Sequence, residues 1–110
     1  MGNHHVVLPL TGPLEAVGNG VRNAAELALE EINSESSIKI RFIVEDNGST
    51  AEGAGEAFNK LINQDGVTAI IGPITSSTSQ ISFPIAQEKQ VIAISPLAAT
   101  SGLSEIGDYQ

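Results

Sequence analysis

The apolar residues of this 110-residue chain fall into two alternating patterns. Short, β-branched runs are closed by Gly, Pro or Asn. Between them lie longer stretches with an apolar residue at every third or fourth position. Val6 to Leu10, stopped by Thr11-Gly12-Pro13, predicts a buried strand. Val21, Ala24, Ala25, Ala28, Leu29 and Ile32 form one helical face, with Glu26, Glu30 and Glu31 mostly off it. Gly18-Asn19-Gly20 predicts a break before that helix, with Asn19 as its cap. Ile38 to Val44 reads as a second strand. Lys39 and Arg41 share one face of it, which suits a sheet edge. Asp46-Asn47-Gly48 is a turn, and Ser49 with Glu52 fits a capping box. Ala54, Ala57, Phe58, Leu61 and Ile62 make the next helical stripe, ended by Asp65-Gly66.

The same alternation continues to the end. Val67 to Ile71 is a third strand, stopped by Gly72-Pro73. Ser77 and Gln80 have capping-box spacing, and Ile81, Ile85 and Ala86 follow at helical positions. Pro84 inside that stretch predicts a kink or two short pieces. Val91 to Ile94 is a fourth strand, and Ser95-Pro96 opens a polar tail. Residues 1–5 read as exposed or tag-like sequence. His4 and His5 are adjacent, so a strand would point them to opposite faces, which argues against a metal pair. Strands alternating with helices imply an α/β fold with parallel pairing and right-handed crossovers. Strands apolar on both faces agree with a sheet covered by helices on each side, three layers in all.

Composition narrows the function. With 13 Asp+Glu against 5 Lys+Arg the net charge is −8. An acidic chain with no basic stripe gains little from phosphates, so nucleic-acid binding is not expected. No Cys is present, which removes disulfides, thiolate zinc sites and thiol catalysis. The apolar runs, about five residues at most, fall far short of the roughly 20 that cross a bilayer. No basic segment followed by an apolar one stands at the N-terminus, so no signal peptide is read there. One domain is expected at this length.

Ligands of open parallel sheets bind beyond the carboxyl ends of the strands. Four loops meet that criterion: Thr11 to Gly20, Asp46 to Thr50, Gly72 to Thr78 and Ser95 to Leu103. The third loop sets Ser76, Ser77 and Thr78 at a predicted helix N-terminus, where unpaired N–H groups favour an anion. Two readings stand side by side. Those hydroxyls hold a carboxylate or phosphate, or Ser77 merely caps the helix while its neighbours are solvated. The small residues from Leu97 to Ser101 allow close backbone approach to a ligand, or form an ordinary turn. No Walker-type loop, no Gly-x-Ser-x-Gly elbow and no nucleophile–base pair is visible, so neither catalysis nor a cofactor is expected. The Glu45-Asp46 pair has no partners to complete a metal site. Asn47-Gly48-Ser49 matches a glycosylation sequon, a chance-prone pattern.

An ordered set of segments resembles a known family. Val7-Leu8-Pro9-Leu10-Thr11-Gly12-Pro13-Leu14 is followed by Gly20-Val21 and then Ala25 to Asn33. Val44-Glu45-Asp46, Ala57 to Ile62, Val67 to Pro73, Ser76-Ser77 and Ile94-Ser95-Pro96 continue it in register. Together, over residues 6–109, they look like the start of type I periplasmic solute-binding proteins, the leucine/isoleucine/valine-binding type and the related extracellular receptor domains. The resemblance implies a flavodoxin-like, Rossmann-like parallel sheet with strand order 2-1-3-4. It implies part of a first lobe, lacking that lobe's last strand and the whole second lobe. It also implies a small solute, an amino acid, delivered to a membrane permease or sensor from the periplasm or an extracellular space.

By this resemblance the carboxylate-holding serine falls on Ser76, with Ser77 and Thr78 in the same loop. The small-residue and threonine pair that contacts carboxylate and ammonium falls on Ala99 and Thr100. Val17 matches the position that packs on the ligand side chain. The agreement at Ser76 to Thr78 favours the anion site over the bare cap. Alternative roles are a receptor's ligand-sensing fragment and a flavodoxin-like scaffold that binds nothing. A flavin carrier would have only Tyr109 for ring stacking, since no Trp is present. A fourth strand without a neighbour would invite pairing with a second copy, which predicts a dimer or higher assembly.

Overall fold

A computed structural model describes residues 2–107; Met1, and Tyr109 with its neighbours, lie outside the described residues. The elements are β1 (Gly2–Leu8), α1 (Glu15–Glu35), β2 (Ile40–Asp46), α2 (Ala51–Asn63), β3 (Ala69–Ile71), α3 (Ser76–Lys89), β4 (Ile92–Ile94) and a 3-10 turn, Ser101–Glu105. All strand pairs are parallel, in the order β2-β1-β3-β4. The edge position expected for the Lys39/Arg41 strand is therefore that of β2.

The sheet has two apolar faces because alternate residues of each strand point opposite ways. Val7, Ile70 and Ala93 pack beneath α2 and α3 with Phe58, Leu61, Phe83 and Ala86. Val6 and Leu8 form the other cluster, with Ile74, Val21 of α1 and Phe42 and Val44 of β2. The Asn33 amide locks the end of α1 to the start of β2. It donates to the Ile40 carbonyl and accepts the Ile40 N–H, both at 2.8 Å.

Several local expectations are corrected. Residues 2–5 belong to β1, paired with Ile40 to Ile43 of β2. α1 begins at Glu15 and runs through Gly18-Asn19-Gly20 without a side-chain cap. Gly18 is there for close packing: a Cβ would lie 1.9 Å from the Pro9 carbonyl oxygen. Thr50, not Ser49, caps α2 and accepts the Gly53 N–H at 2.9 Å. α3 passes through Pro84 as one helix. Strands β3 and β4 are three residues each, shorter than the apolar runs that announce them.

The expected edge position of β4 is observed: among the described residues β3 is its one strand neighbour. Ala93 at its centre has no exposed surface and shares a cluster with Leu103 of the 3-10 turn. The polar tail folds into that turn and buries Leu103.

Candidate functional site

The loops after β1, β2, β3 and β4 meet at the carboxyl end of the sheet, and each is shaped by its own hydrogen bonds. Gly72 brings the third loop into place with φ +109°; a Cβ there would lie 2.2 Å from the Val7 carbonyl oxygen. Its N–H donates to the Ile94 carbonyl at 2.7 Å, tying the end of β3 to β4. Thr75 is the cap of α3, one role that sequence spacing assigned to Ser77. Its hydroxyl accepts the Thr78 N–H at 3.2 Å, and its carbonyl accepts the Ser79 N–H at 3.0 Å. The N–H groups of Ser76 and Ser77 precede the first intrahelical bond and point from a partially positive helix end.

The six expected residues separate into three groups. Ser76 and Ala99 are brought together: the Ser76 hydroxyl oxygen accepts the Ala99 N–H at 3.2 Å. The Ser76 hydroxyl proton stays available to an acceptor. Ser77 is exposed beside it, its hydroxyl 3.3 Å from that of Thr75. Thr100 is half-buried on the same loop as Ala99, and its side chain makes no capping bond to the 3-10 turn. Ala98 is folded back by its N–H to the Ser95 hydroxyl at 3.1 Å.

Thr78 faces inward. It is 2% exposed, donates to the Thr75 carbonyl at 3.1 Å and meets the Thr75 hydroxyl at 2.6 Å. That hydroxyl is spent on the cap. Val17 stands exposed in the first turn of α1, just past the first loop.

Sequence reasoning missed the clasp that joins the first two loops. The Asp46 carboxylate accepts the N–H groups of Leu10 at 2.8 Å, Gly48 at 2.9 Å and Thr11 at 3.2 Å, and the Thr11 hydroxyl at 2.7 Å. Partial burial pushes its pKa up. The Thr11 hydroxyl and the three N–H donors together outweigh that and hold it below the ordinary carboxylate range. Ser49 adds to the clasp by accepting the Leu14 N–H and donating to the Thr11 carbonyl. The signal was present in Asp46-Asn47-Gly48, where an aspartate two residues before a glycine favours a side-chain-closed turn. Asn47 is buried with its side-chain oxygen on the Ser49 N–H, so the sequon asparagine is a turn residue.

Two other concavities are near. About 350 Å³ lies behind the fourth loop, between Phe83, Ile94, Leu103 and the hydroxyls of Ser95, Thr100 and Ser104. A larger one, about 680 Å³, lies between α2 and the end of β2. Glu45, Glu52 and Glu56 line it around Lys60. Lys60 pairs with Glu45 and, at 3.7 Å, with Asp65, and its ammonium pKa is raised chiefly by the Glu45 hydrogen bond. That wall repels a carboxylate, whereas the start of α3 attracts one. Among the described residues no group of three or more His, Asp or Glu is placed to hold a metal, and no helix is long and apolar enough to cross a membrane.

The parallel sheet in the order β2-β1-β3-β4, with its three helices, matches one lobe of the solute-binding class. The periplasmic binding protein family model matches residues 6–109, and the chain belongs to that family. These proteins are not enzymes and are typically periplasmic. The chain is 32% identical over 106 residues to the Leu/Ile/Val-binding protein BraC3 of Rhizobium johnstonii, covering 93% of this chain and 28% of that one. It is 30% identical over 108 residues to the Leu/Ile/Val-binding protein of Escherichia coli, covering 96% and 29%. Among solved structures it matches the branched-chain amino acid transporter substrate binding protein LivJ of Streptococcus pneumoniae, in complex with isoleucine. The TM-score is 0.89 at 30% identity, over 99% of this chain and 32% of that one. A branched-chain amino acid ABC transporter protein of Rhodospirillum rubrum shares the fold with a TM-score of 0.92. The chain thus spans under a third of the length of these relatives.

Proposed function

We propose that this chain carries the carboxylate-holding part of a binding protein for a branched-chain amino acid, serving an ABC transport system from the periplasm. The observation that carries this reading is the junction of Ser76 with Ala99 at the start of α3. It gathers one hydroxyl donor and the free N–H groups of Ser76 and Ser77 beside the loop that holds Thr100. Those donors suit a carboxylate without adding a full charge. Relatives named for leucine, isoleucine and valine support the solute class.

Binding by this chain alone should be weak, on the order of 1 mM, because one lobe leaves much of a ligand in water that an enclosed cleft would exclude. Leucine, isoleucine and valine would be titrated into isotope-labelled protein, with lysine and glutamate as comparators. Saturable amide shifts at Ser76, Ser77, Ala99 and Thr100 are expected for the branched-chain solutes. Well-dispersed spectra that stay unchanged to the solubility limit would remove the carboxylate site from this chain.

A further inference from the structure

The two outer strands of the sheet differ. β4 is three residues long, a length that limits pairing with a further strand. β2 is seven residues long and pairs with β1 without a break in register. Its other edge has no strand neighbour among the described residues. The usual guards of an edge are a proline, a bulge or an outstanding lysine. Ile40 to Asp46 contains no proline, and the unbroken register leaves no bulge. Lys39 is drawn back toward α1. Its ammonium donates to the Asn33 carbonyl and, at 3.0 Å, to that of Ser36.

Charge marks what fits this edge. Arg41, Ile43 and Glu45 alternate along β2 and so share one face. Glu45 is in register with Val7, which packs beneath α2, so that face is the α2 side. Arg41 is exposed and makes no ion pair among the described residues. Glu45, on the same strand, opens the groove in which Glu52 and Glu56 join it around a single cation, Lys60.

Two copies of β2 can be set antiparallel with a two-fold axis at Ile43. Arg41 of each copy then stands directly opposite Glu45 of the other, and Phe42 opposite Val44. Opposite charges, and an aromatic against a β-branched residue, are favourable cross-strand pairs. Moving the axis by one residue sets Arg41 opposite Ile43 or Asn47, and both ion pairs are lost. We propose that β2 is the docking edge for a second copy of this chain, joined antiparallel about Ile43, with Arg41 of each copy at the acidic groove of the other. The contact is self-complementary, as a two-fold interface requires. It does not depend on which solute is bound.

Sedimentation equilibrium of the chain, run up to about 1 mM, should show a reversible dimer. Hydrogen exchange at rising concentration should protect amides within Ile40 to Asp46 and leave those of Ile92 and Ile94 unchanged. Arg41→Glu should weaken the dimer at least about tenfold, roughly 1.4 kcal/mol. Adding Glu45→Arg restores both pairs in reverse and should recover most of that loss. Cysteine crosslinking decides the matter if the double variant does not fold, since the chain has no Cys of its own. Ile43→Cys puts a thiol on the axis, where the two Cα atoms lie about 4.5–5.5 Å apart, within disulfide reach. Lys39→Cys puts its two copies about 27 Å apart. Mild oxidation should therefore link the first variant and not the second. A monomer throughout, a dimer indifferent to Arg41→Glu, or equal crosslinking of both cysteine variants would each overturn the proposal. Protection centred on β4 would overturn it too, by assigning the contact to the other edge.

Discussion

The side-chain oxygen of Ser76 accepts the backbone N–H of Ala99 at 3.2 Å, which holds the loops after β3 and β4 as one surface. The bond uses one lone pair of the serine oxygen and leaves its proton available to an acceptor.

Replacing Ser76 tests that surface. Ser76→Ala removes a donor to a charged ligand group, a contribution of about 1.5–3 kcal/mol, so amino-acid affinity should fall about tenfold or more. Ser77→Ala should cost less, because its hydroxyl is solvated. Amide-shift titration reads both. Binding unchanged by Ser76→Ala would place the carboxylate elsewhere.

Thr75 and Ser77 separate capping from ligand contact. Thr75→Ala should destabilise the fold by about 1–2 kcal/mol in urea unfolding, the usual loss for a helix cap. Ser77→Ala should stay within about 0.5 kcal/mol. The reverse ranking would return the cap to Ser77. Capping residues as a class were legible here, since Ser and Thr crowd both helix starts. Which of them takes the position was not. That depends on where β3 stops, and the close approach of Gly72 to Val7 decides it.

Two hydroxyls in the core lack partners. Ser79 and Ser82 are fully buried on α3 without a hydrogen bond to either side-chain oxygen. An unpaired buried polar group costs about 1–3 kcal/mol, and alanine is the better helix former. Ser79→Ala and Ser82→Ala should therefore each raise the unfolding free energy, by about 1 kcal/mol. Destabilisation in both would mean that these hydroxyls are satisfied in solution.

Asp46 links stability to acid. Its folded-state pKa lies below the unfolded value of about 3.9. Its contribution is fully present above that unfolded value and is lost as pH falls through the lower folded value. Asp46→Asn should flatten the acid limb of a stability–pH curve below about pH 4. It should leave the shape of the curve near neutrality unchanged. An acid limb identical in the variant would assign the titration to other carboxylates.

Gly18 is a packing position. Gly18→Ala would drive a methyl group against the Pro9 carbonyl and should cost at least about 1–3 kcal/mol, the usual range for overpacking. Gly20→Ala, with open space around it, should be neutral or stabilising. Thermal melts of the two variants compare them directly.

The order of strands and helices was determined by the sequence alone, because each element follows from residue types within a few positions of one another. The alternation of β-branched runs with 3.6-residue stripes also entailed a parallel sheet and put the hydroxyl-rich loops at its carboxyl end. Only the tertiary structure decided how those loops are used. Thr78 turns inward because it completes the Thr75 cap, while Ser76 turns outward to Ala99, 23 positions along the chain. Asp46 became the clasp of the first two loops through partners 35 and 36 positions away. Ala93 of β4 is buried in the cluster that Leu103 joins, ten positions further along the chain. Backbone preference is local, but which polar group is buried, paired or free depends on residues that meet only when the chain has folded.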